Sequence, residues 1–207
     1  MNTTKEQIIT DLKTLDSRNF YKKYIVKSNN WYLSNVLNIP EENIVDAIDT
    51  FRDIVSTNLQ VSFNSIMMVG SGKIGYSLSP SKNLKPFTLN PTDNIKSDID
   101  IAIIASDIFE YFWKLFRKAY SLQNKHLYKY ISRGIYRGYI NDRNLKNINL
   151  CYSEWIDLSR NSNKNLQSQL YFRHEISYRI YRSWEDFEEY NLGSIEELKN
   201  EVIKNEI

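Results

Sequence analysis

The stretch SDIDIAII, residues 97–104, decides the fold because its apolar residues recur with a period of two. Every second residue from 99 to 103 is isoleucine, and the opposite phase holds Asp98, Asp100 and Ala102. This alternation predicts a β-strand with one apolar and one acidic face. The two carboxylates point the same way with Cβ atoms within about 7 Å, which is costly unless a cation lies between them. Magnesium, held by one or two carboxylates and substrate phosphates, is the usual solution.

An apolar run ending in a glycine-rich loop precedes this strand, in SIMMVGSGKIGYS, residues 65–77. Residues 61–69 are predicted to form a buried strand that stops at Gly70. The loop fits the dinucleotide pattern G-x-G-x-x-G and half of a P-loop, and both motifs need a helix beginning inside the loop. The next segment, residues 76–96, contains three prolines among serines and asparagines, so we predict that neither helix forms.

A Gly-Ser pair after one strand and Asp-x-Asp on the next resembles the nucleotidyltransferase superfamily of the DNA polymerase beta type. That superfamily includes poly(A) and CCA-adding enzymes, cyclic-oligonucleotide synthases, and small nucleotide-transferring toxins and antitoxins. The resemblance covers about residues 60–105. It implies that Gly70 and Ser71 contact the triphosphate and that Asp98 and Asp100 bind two metal ions, Mg²⁺ or Mn²⁺.

Two further features of the loop region follow from the resemblance and the spacing. Lys73 is a candidate phosphate contact, with a solvent-exposed lysine as the alternative. The chain places 26 residues between Ser71 and Asp98. This length predicts a hairpin or flap within residues 72–97.

The third acid that the resemblance implies must lie on a later strand. Residues 171–182, YFRHEISYRIYR, alternate between apolar and charged residues and predict that strand. Glu175 on its polar face is the predicted third ligand and completes the catalytic set. Arg179 on the same face is a candidate phosphate clamp, since a guanidinium binds phosphate oxygens in a bidentate fork. An ordinary cross-strand charge pair is the alternative for Glu175, and Glu154 and Asp157 are rivals on a segment with helical spacing.

These patterns predict one α/β domain of the α+β type, a polymerase-beta-type nucleotidyltransferase core whose mixed sheet is flanked by N-terminal and C-terminal helices. Its parts within the single domain 1–207 are a helical N-terminal part, 1–60, a catalytic core, 61–183, with a helical insertion, 107–168, and C-terminal helices, 184–207. The C-terminal helices are predicted to break near Gly193. A helix over residues 41–58 is predicted from its apolar stripe.

Composition narrows the setting of the protein. The formal net charge is +2, so no overall basic field indicates nucleic acid. Cys151 is the sole cysteine of the sequence, which excludes an internal disulfide and a cysteine-based zinc cluster. No apolar leader follows the first residues and no window approaches the roughly 20 apolar residues of a membrane span, so we predict a cytoplasmic protein without membrane contact.

A local basic segment, residues 124–146, places lysines and arginines between tyrosines. Such interleaving suits a single-stranded nucleic acid or a nucleotide base. A helix with a tyrosine-filled core side and snorkelling basic chains is the alternative.

The function implied by the resemblance is transfer of a nucleoside monophosphate from a nucleoside triphosphate to a hydroxyl acceptor on RNA or protein. A toxin-antitoxin or phage-defence setting, with a protein partner, is an association of small stand-alone members of the superfamily. Two alternatives stay open, an oligonucleotide second-messenger synthase and a catalytically weak nucleotide-sensing or partner-binding module.

Overall fold

The computed structural model describes residues 3–89 and 97–204 and divides the chain into two compact units. The first unit consists of Met1–Ile48, Met68–Asp100 and Glu188–Ile207. The second unit consists of Asp49–Met67 and Ile101–Phe187. Each unit is thus assembled from segments that are distant in the sequence.

Helices dominate the described residues. The α-helices are α1 (Lys5–Thr14), α2 (Ser17–Tyr21), α3 (Trp31–Asn35), α4 (Ile44–Leu59), α5 (Gly70–Ile74), α6 (Ser106–Lys118), α7 (Lys125–Tyr136), α8 (Asp142–Lys146), α9 (Asn149–Gln169) and α10 (Trp184–Lys204). The strands are β1 (Ile66–Val69), β2 (Ile99–Ile104), β3 (Tyr139–Asn141) and β4 (Ile176–Tyr181). These helices and strands confirm the predicted α+β class. In the described ranges no helix combines the length and apolar character that a membrane span requires.

The four strands form one mixed sheet, in the order β1-β2-β4-β3. β3 and β4 are antiparallel, with Ile140 opposite Ile180. The predicted helical insertion, residues 107–168, also contains the short strand β3 between its helices. Three residues are too short to show a period-two pattern in the sequence, and the pairing with β4 stabilises them as a strand.

Two predicted strands are shorter in the structure than in the sequence interpretation. β1 begins at Ile66, because residues 63–65 form a 3₁₀ turn. β4 begins at Ile176, although the alternation of buried and more exposed residues extends over 171–180 as predicted. The predicted helix over 41–58 is confirmed by α4 and the short 3₁₀ turn before it.

Aromatic packing fixes the core of the second unit. Trp155 of α9 is fully buried, and its ring contacts Phe112 of α6 and Tyr178 of β4 edge to face, with centroids 5.8 Å and 5.4 Å away. Buried aromatic residues bring a large apolar area and prefer this edge-to-face geometry. The two helices and the strand therefore share one core.

The C-terminal helix corrects the predicted break near Gly193, because α10 is continuous through that residue. An interior glycine costs a helix only about 1 kcal/mol relative to alanine. Buried Ile195, Leu198 and Val202 lie on one stripe of the helix and offset that cost. In the first unit, Lys199 also donates to the Leu15 carbonyl at 2.8 Å.

Candidate functional site

The two predicted metal ligands stand at the beginning of β2. Ile99 and Ile101 are fully buried, whereas Asp98 and Asp100 are half-buried. Alternation along an extended chain places the two carboxylates on the same side. The acidic side is confined to this end, since residues 101–104 are all buried.

Gly70, directly after β1, lies against one of these carboxylates in the first unit. Its φ of +66° is in the left-handed region that favours glycine. A Cβ atom at this position would overlap Oδ2 of Asp100 and would lie 3.2 Å from its Cγ. The absence of a side chain at Gly70 thus allows the Asp100 carboxylate to approach the backbone of the loop.

The loop itself corrects one prediction, because residues 70–74 form a single helical turn, α5. The turn ends at Gly75, which has a φ of +88° and donates its N–H to the Ser71 carbonyl at 2.8 Å. The prolines forbid a longer helix, as predicted, but they begin only at residue 80 and leave room for one turn.

The chain after the turn folds back as an antiparallel pair. Tyr76 bridges to Pro86, and Phe87 donates its N–H to the Gly75 carbonyl at 2.8 Å. Residues 75–87 thus form the predicted hairpin in the described part of the insertion. The remainder of the predicted flap, residues 90–96, lies outside the described residues.

Lys73 is buried in the first unit, with 7% of its surface exposed. Its ammonium donates to the Lys27 carbonyl at 2.7 Å, at the end of a π-helix, Lys22–Val26. This bond ties α5 to the π-helix. The predicted contact of Lys73 with phosphate stays a prediction.

The aromatic contacts at the end of α5, near Gly75, were not predicted. Trp31 comes within 2.9 Å of the position that a Cβ on Gly75 would occupy. The Trp31 ring also packs against Phe87, with centroids 5.6 Å apart. The sequence carries no local signal for these contacts, since the partners lie more than 40 residues apart.

Glu175 and Arg179 belong to the second unit. Glu175 is exposed and immediately precedes β4. Arg179 lies on the polar side of β4, where its guanidinium carbon is 5.1 Å from the ring centroid of Tyr139 and its Nη1 is 3.5 Å from the Tyr181 hydroxyl. Tyr139 and Tyr181 hold the guanidinium in place.

The rivals for the third acid are both exposed residues on α9, and their predicted helix is confirmed. A hydrogen bond from the Tyr111 hydroxyl to the Glu154 carboxylate raises the pKa of Tyr111. Glu154 thus has a hydrogen-bond partner on α6.

The two carboxylates at the beginning of β2 are the type of ligand that a divalent cation prefers. Within residues 3–89 and 97–204, no group of three His, Cys, Asp or Glu side chains is placed to hold a metal ion. Magnesium takes one or two carboxylates and completes its shell with water and substrate phosphates. The carboxylates of Asp98 and Asp100 are the ligand type of that smaller requirement.

Comparison with known proteins adds no relative: no family model, no curated protein and no solved structure matches the chain.

Proposed function

We propose that the protein is a metal-dependent nucleotidyltransferase that moves a nucleoside monophosphate from a nucleoside triphosphate to a hydroxyl acceptor on RNA or protein. One observation carries the proposal: the Asp100 carboxylate lies against Gly70, at the start of the Gly-Ser loop. Two elements that the resemblance links to metal and to phosphate are therefore neighbours in the first unit.

The placement of Lys73 supports this proposal over a P-loop. A P-loop lysine must reach the β- and γ-phosphates, and the residue after it is serine or threonine. Here the ammonium of Lys73 donates to the Lys27 carbonyl, and Ile74 follows it. The five-residue turn α5 is also far shorter than the helix that follows the glycines of a dinucleotide fold.

The chemistry assigns a role to each residue of the site. Asp98 and Asp100 would hold the cations, and the backbone and hydroxyl of Gly70 and Ser71 would bind phosphate oxygens. Divalent cations, when bound, neutralise the charge of the triphosphate and lower the pKa of the acceptor hydroxyl. Glu175 as the third ligand and Arg179 as a phosphate clamp stay predictions.

The proposed transfer is an in-line displacement at the α-phosphorus. The acceptor oxygen forms a bond to the α-phosphorus, and the bond from that phosphorus to the bridging oxygen breaks. Pyrophosphate leaves with the electron pair, and the hydroxyl proton passes to solvent. Positive charge near the leaving group stabilises the charge that develops there.

The test is incubation of the purified protein with each α-labelled nucleoside triphosphate, Mg²⁺ or Mn²⁺, and a total cell extract. We expect label in RNA or in a protein band, and none with Asp98→Asn or Asp100→Asn. Asp53→Asn is the matched control, because Asp53 is an exposed aspartate on α4. Label in a small phosphatase-resistant product would indicate an oligonucleotide synthase, and absence of label with all four nucleotides would favour the binding module.

A further inference from the structure

The positive charge of the chain is concentrated in one segment of the second unit. Residues 117–146 contain eight lysines and arginines and one acidic residue, whereas the whole chain has a formal charge of +2. The basic residues are Arg117, Lys118, Lys125, Lys129, Arg133, Arg137, Arg143 and Lys146. A local field of this sign attracts polyanions even when the net charge of the protein is small.

Helix α7 arranges three of these cations and a tyrosine in a row. Lys125, Lys129, Arg133 and Tyr136 are spaced so that they fall within about 80° of the helix circumference. All four are exposed, and Tyr136 is 91% exposed. The opposite side of α7 holds the buried residues. We call these four residues the α7 stripe.

None of the three cations of the α7 stripe pairs with a carboxylate in the part of the chain that the structure describes. Their spacing of four residues sets them about 6 Å apart along the helix. A regular row of unneutralised cations suits a ligand whose negative charges also form a row.

Exposed aromatic rings flank the α7 stripe. Tyr120, which is 66% exposed, stacks on Tyr128 with centroids 4.7 Å apart and ring planes 9° apart. The Tyr128 hydroxyl is fixed by the backbone of Ser121, to whose carbonyl it donates at 3.1 Å. Tyr130, also 66% exposed, lies on the other flank. The tyrosine-filled core side considered for this helix is therefore wrong, because the core side of α7 consists of smaller residues such as Ile131.

We propose that the α7 stripe, with the Tyr120–Tyr128 stack, binds single-stranded RNA. Cations contact the phosphates of a single strand while aromatic rings stack on its unpaired bases. A duplex hides its bases, and an acidic peptide such as polyglutamate has no aromatic rings to stack on the tyrosines. Exposed His126 and Ser132, on the same side of α7, offer polar groups for the ribose 2′-hydroxyl, which distinguishes RNA from DNA.

The test measures binding of the full chain to a fluorescein-labelled oligouridylate of about 15 nucleotides, the upper end of the site sizes of single-strand binding folds. Lys125→Ala/Lys129→Ala/Arg133→Ala is expected to weaken binding about tenfold or more and to reduce the salt slope by about 2. Tyr120→Ala and Tyr136→Ala are each expected to weaken it about fivefold or more. Circular dichroism of each variant checks that the fold is retained.

A matched control variant removes three positive charges from the first unit. Lys13→Ala/Lys22→Ala/Lys82→Ala, at three exposed lysines of the first unit, is expected to bind as the unchanged protein does. Equal losses in the two triple variants, or none in the first, would overturn the proposal. So would equal affinity for the matched single-stranded DNA, or competition by duplex RNA or polyglutamate as effective as that by unlabelled oligouridylate.

Binding is measured without nucleoside triphosphate, so it is independent of the proposed transferase activity. Asp98→Asn, which should abolish nucleotidyl transfer, is expected to bind the oligouridylate normally. Loss of transfer activity with normal RNA binding would separate the two proposals, and RNA binding that depended on Asp98 would contradict the placement of the RNA surface on α7.

Discussion

At the scale of single residues, Gly70 combines a left-handed backbone conformation with a close contact to Asp100, a candidate metal ligand. Its positive φ and the contact of its Cα region with Asp100 both require the absence of a side chain. Glycine is the residue that permits so close an approach to the backbone. A change at Gly70 therefore tests the geometry of the loop without removing a ligand.

We predict that Gly70→Ala destabilises the protein by about 1–3 kcal/mol, because alanine is strained at this φ and its methyl group would displace Asp100. Nucleotidyl transfer should also fall, because the displaced Asp100 carboxylate would no longer lie against the loop. Thermal unfolding and the label-transfer assay measure the two effects. Unchanged stability and activity would show that the loop does not depend on this contact.

Gly193→Ala is the matched glycine control. Gly193 lies inside α10, and a Cβ atom there would meet no heavy atom within 4 Å. Alanine should stabilise the helix by about 0.5–1 kcal/mol, since it loses less backbone freedom on folding. The opposite signs expected for the two glycines separate conformational strain from a general effect of added methyl groups.

At the scale of elements, the Lys73–Lys27 hydrogen bond joins α5 to the π-helix. We predict that Lys73→Met lowers the free energy of unfolding by about 1–2 kcal/mol, because a charge-assisted hydrogen bond is lost while the apolar stem is kept. Denaturant unfolding measures this loss. A weakened affinity for nucleoside triphosphate at unchanged stability would instead support a phosphate-binding role for Lys73.

The start of α8 gives a prediction of pH dependence. Burial raises the pKa of Asp142, against the opposing hydrogen bond and charge of Lys146, whose Nζ lies 2.7 Å from the carboxylate. A raised pKa means that folding favours the protonated acid, so the contribution of Asp142 to stability falls as the pH rises through its ordinary range. An ionised Asp142 therefore stabilises the fold less than a neutral side chain of the same shape would.

Asp142→Asn should therefore raise the thermal unfolding midpoint by about 2 °C at pH 7, because the amide keeps the shape without the buried charge. The difference should vanish below the ordinary pKa of aspartate, where the native carboxyl group is also neutral. Thermal unfolding at several pH values measures this. A destabilised variant at pH 7 would show that the ion pair with Lys146 outweighs the burial of the charge.

Local patterns explain which elements could be predicted from the sequence. The helices α4 and α9, the strand β2 and the alternation along β4 carry clear periodicity over several residues. The strand β3 and the turn α5 are too short for a period and depend on partners elsewhere in the chain. Continuity of α10 through Gly193 depends on buried residues that outweigh a local helix-breaking signal.

The candidate site could likewise be predicted only in part from the sequence. Alternation places Asp98 and Asp100 on one side of β2, and the structure adds that Asp100 lies against Gly70. The hydrogen bond of Lys73 to Lys27 spans 46 residues and has no signature in either segment. The exposure of Tyr136 likewise depends on which side of α7 packs, and the small residues of the core side decide this.

At the scale of the whole molecule, the sequence separates charge along its length. Residues 117–146 are strongly basic, whereas residues 183–207 contain eight acidic residues and two lysines. These opposite segments nearly cancel in the net charge, which is why composition alone gave no indication of a polyanionic ligand. A near-neutral total can therefore conceal a surface suited to RNA.

The central claim is that Asp98 and Asp100 hold a divalent cation together with a nucleoside triphosphate. Titration of the protein with Mn²⁺ and a non-hydrolysable nucleoside triphosphate, followed by electron paramagnetic resonance, tests it most directly. We predict that the unchanged protein and Asp53→Asn bind the Mn²⁺–nucleotide complex and that Asp98→Asn/Asp100→Asn, folded by circular dichroism, does not. Equal binding by the double variant would contradict the claim.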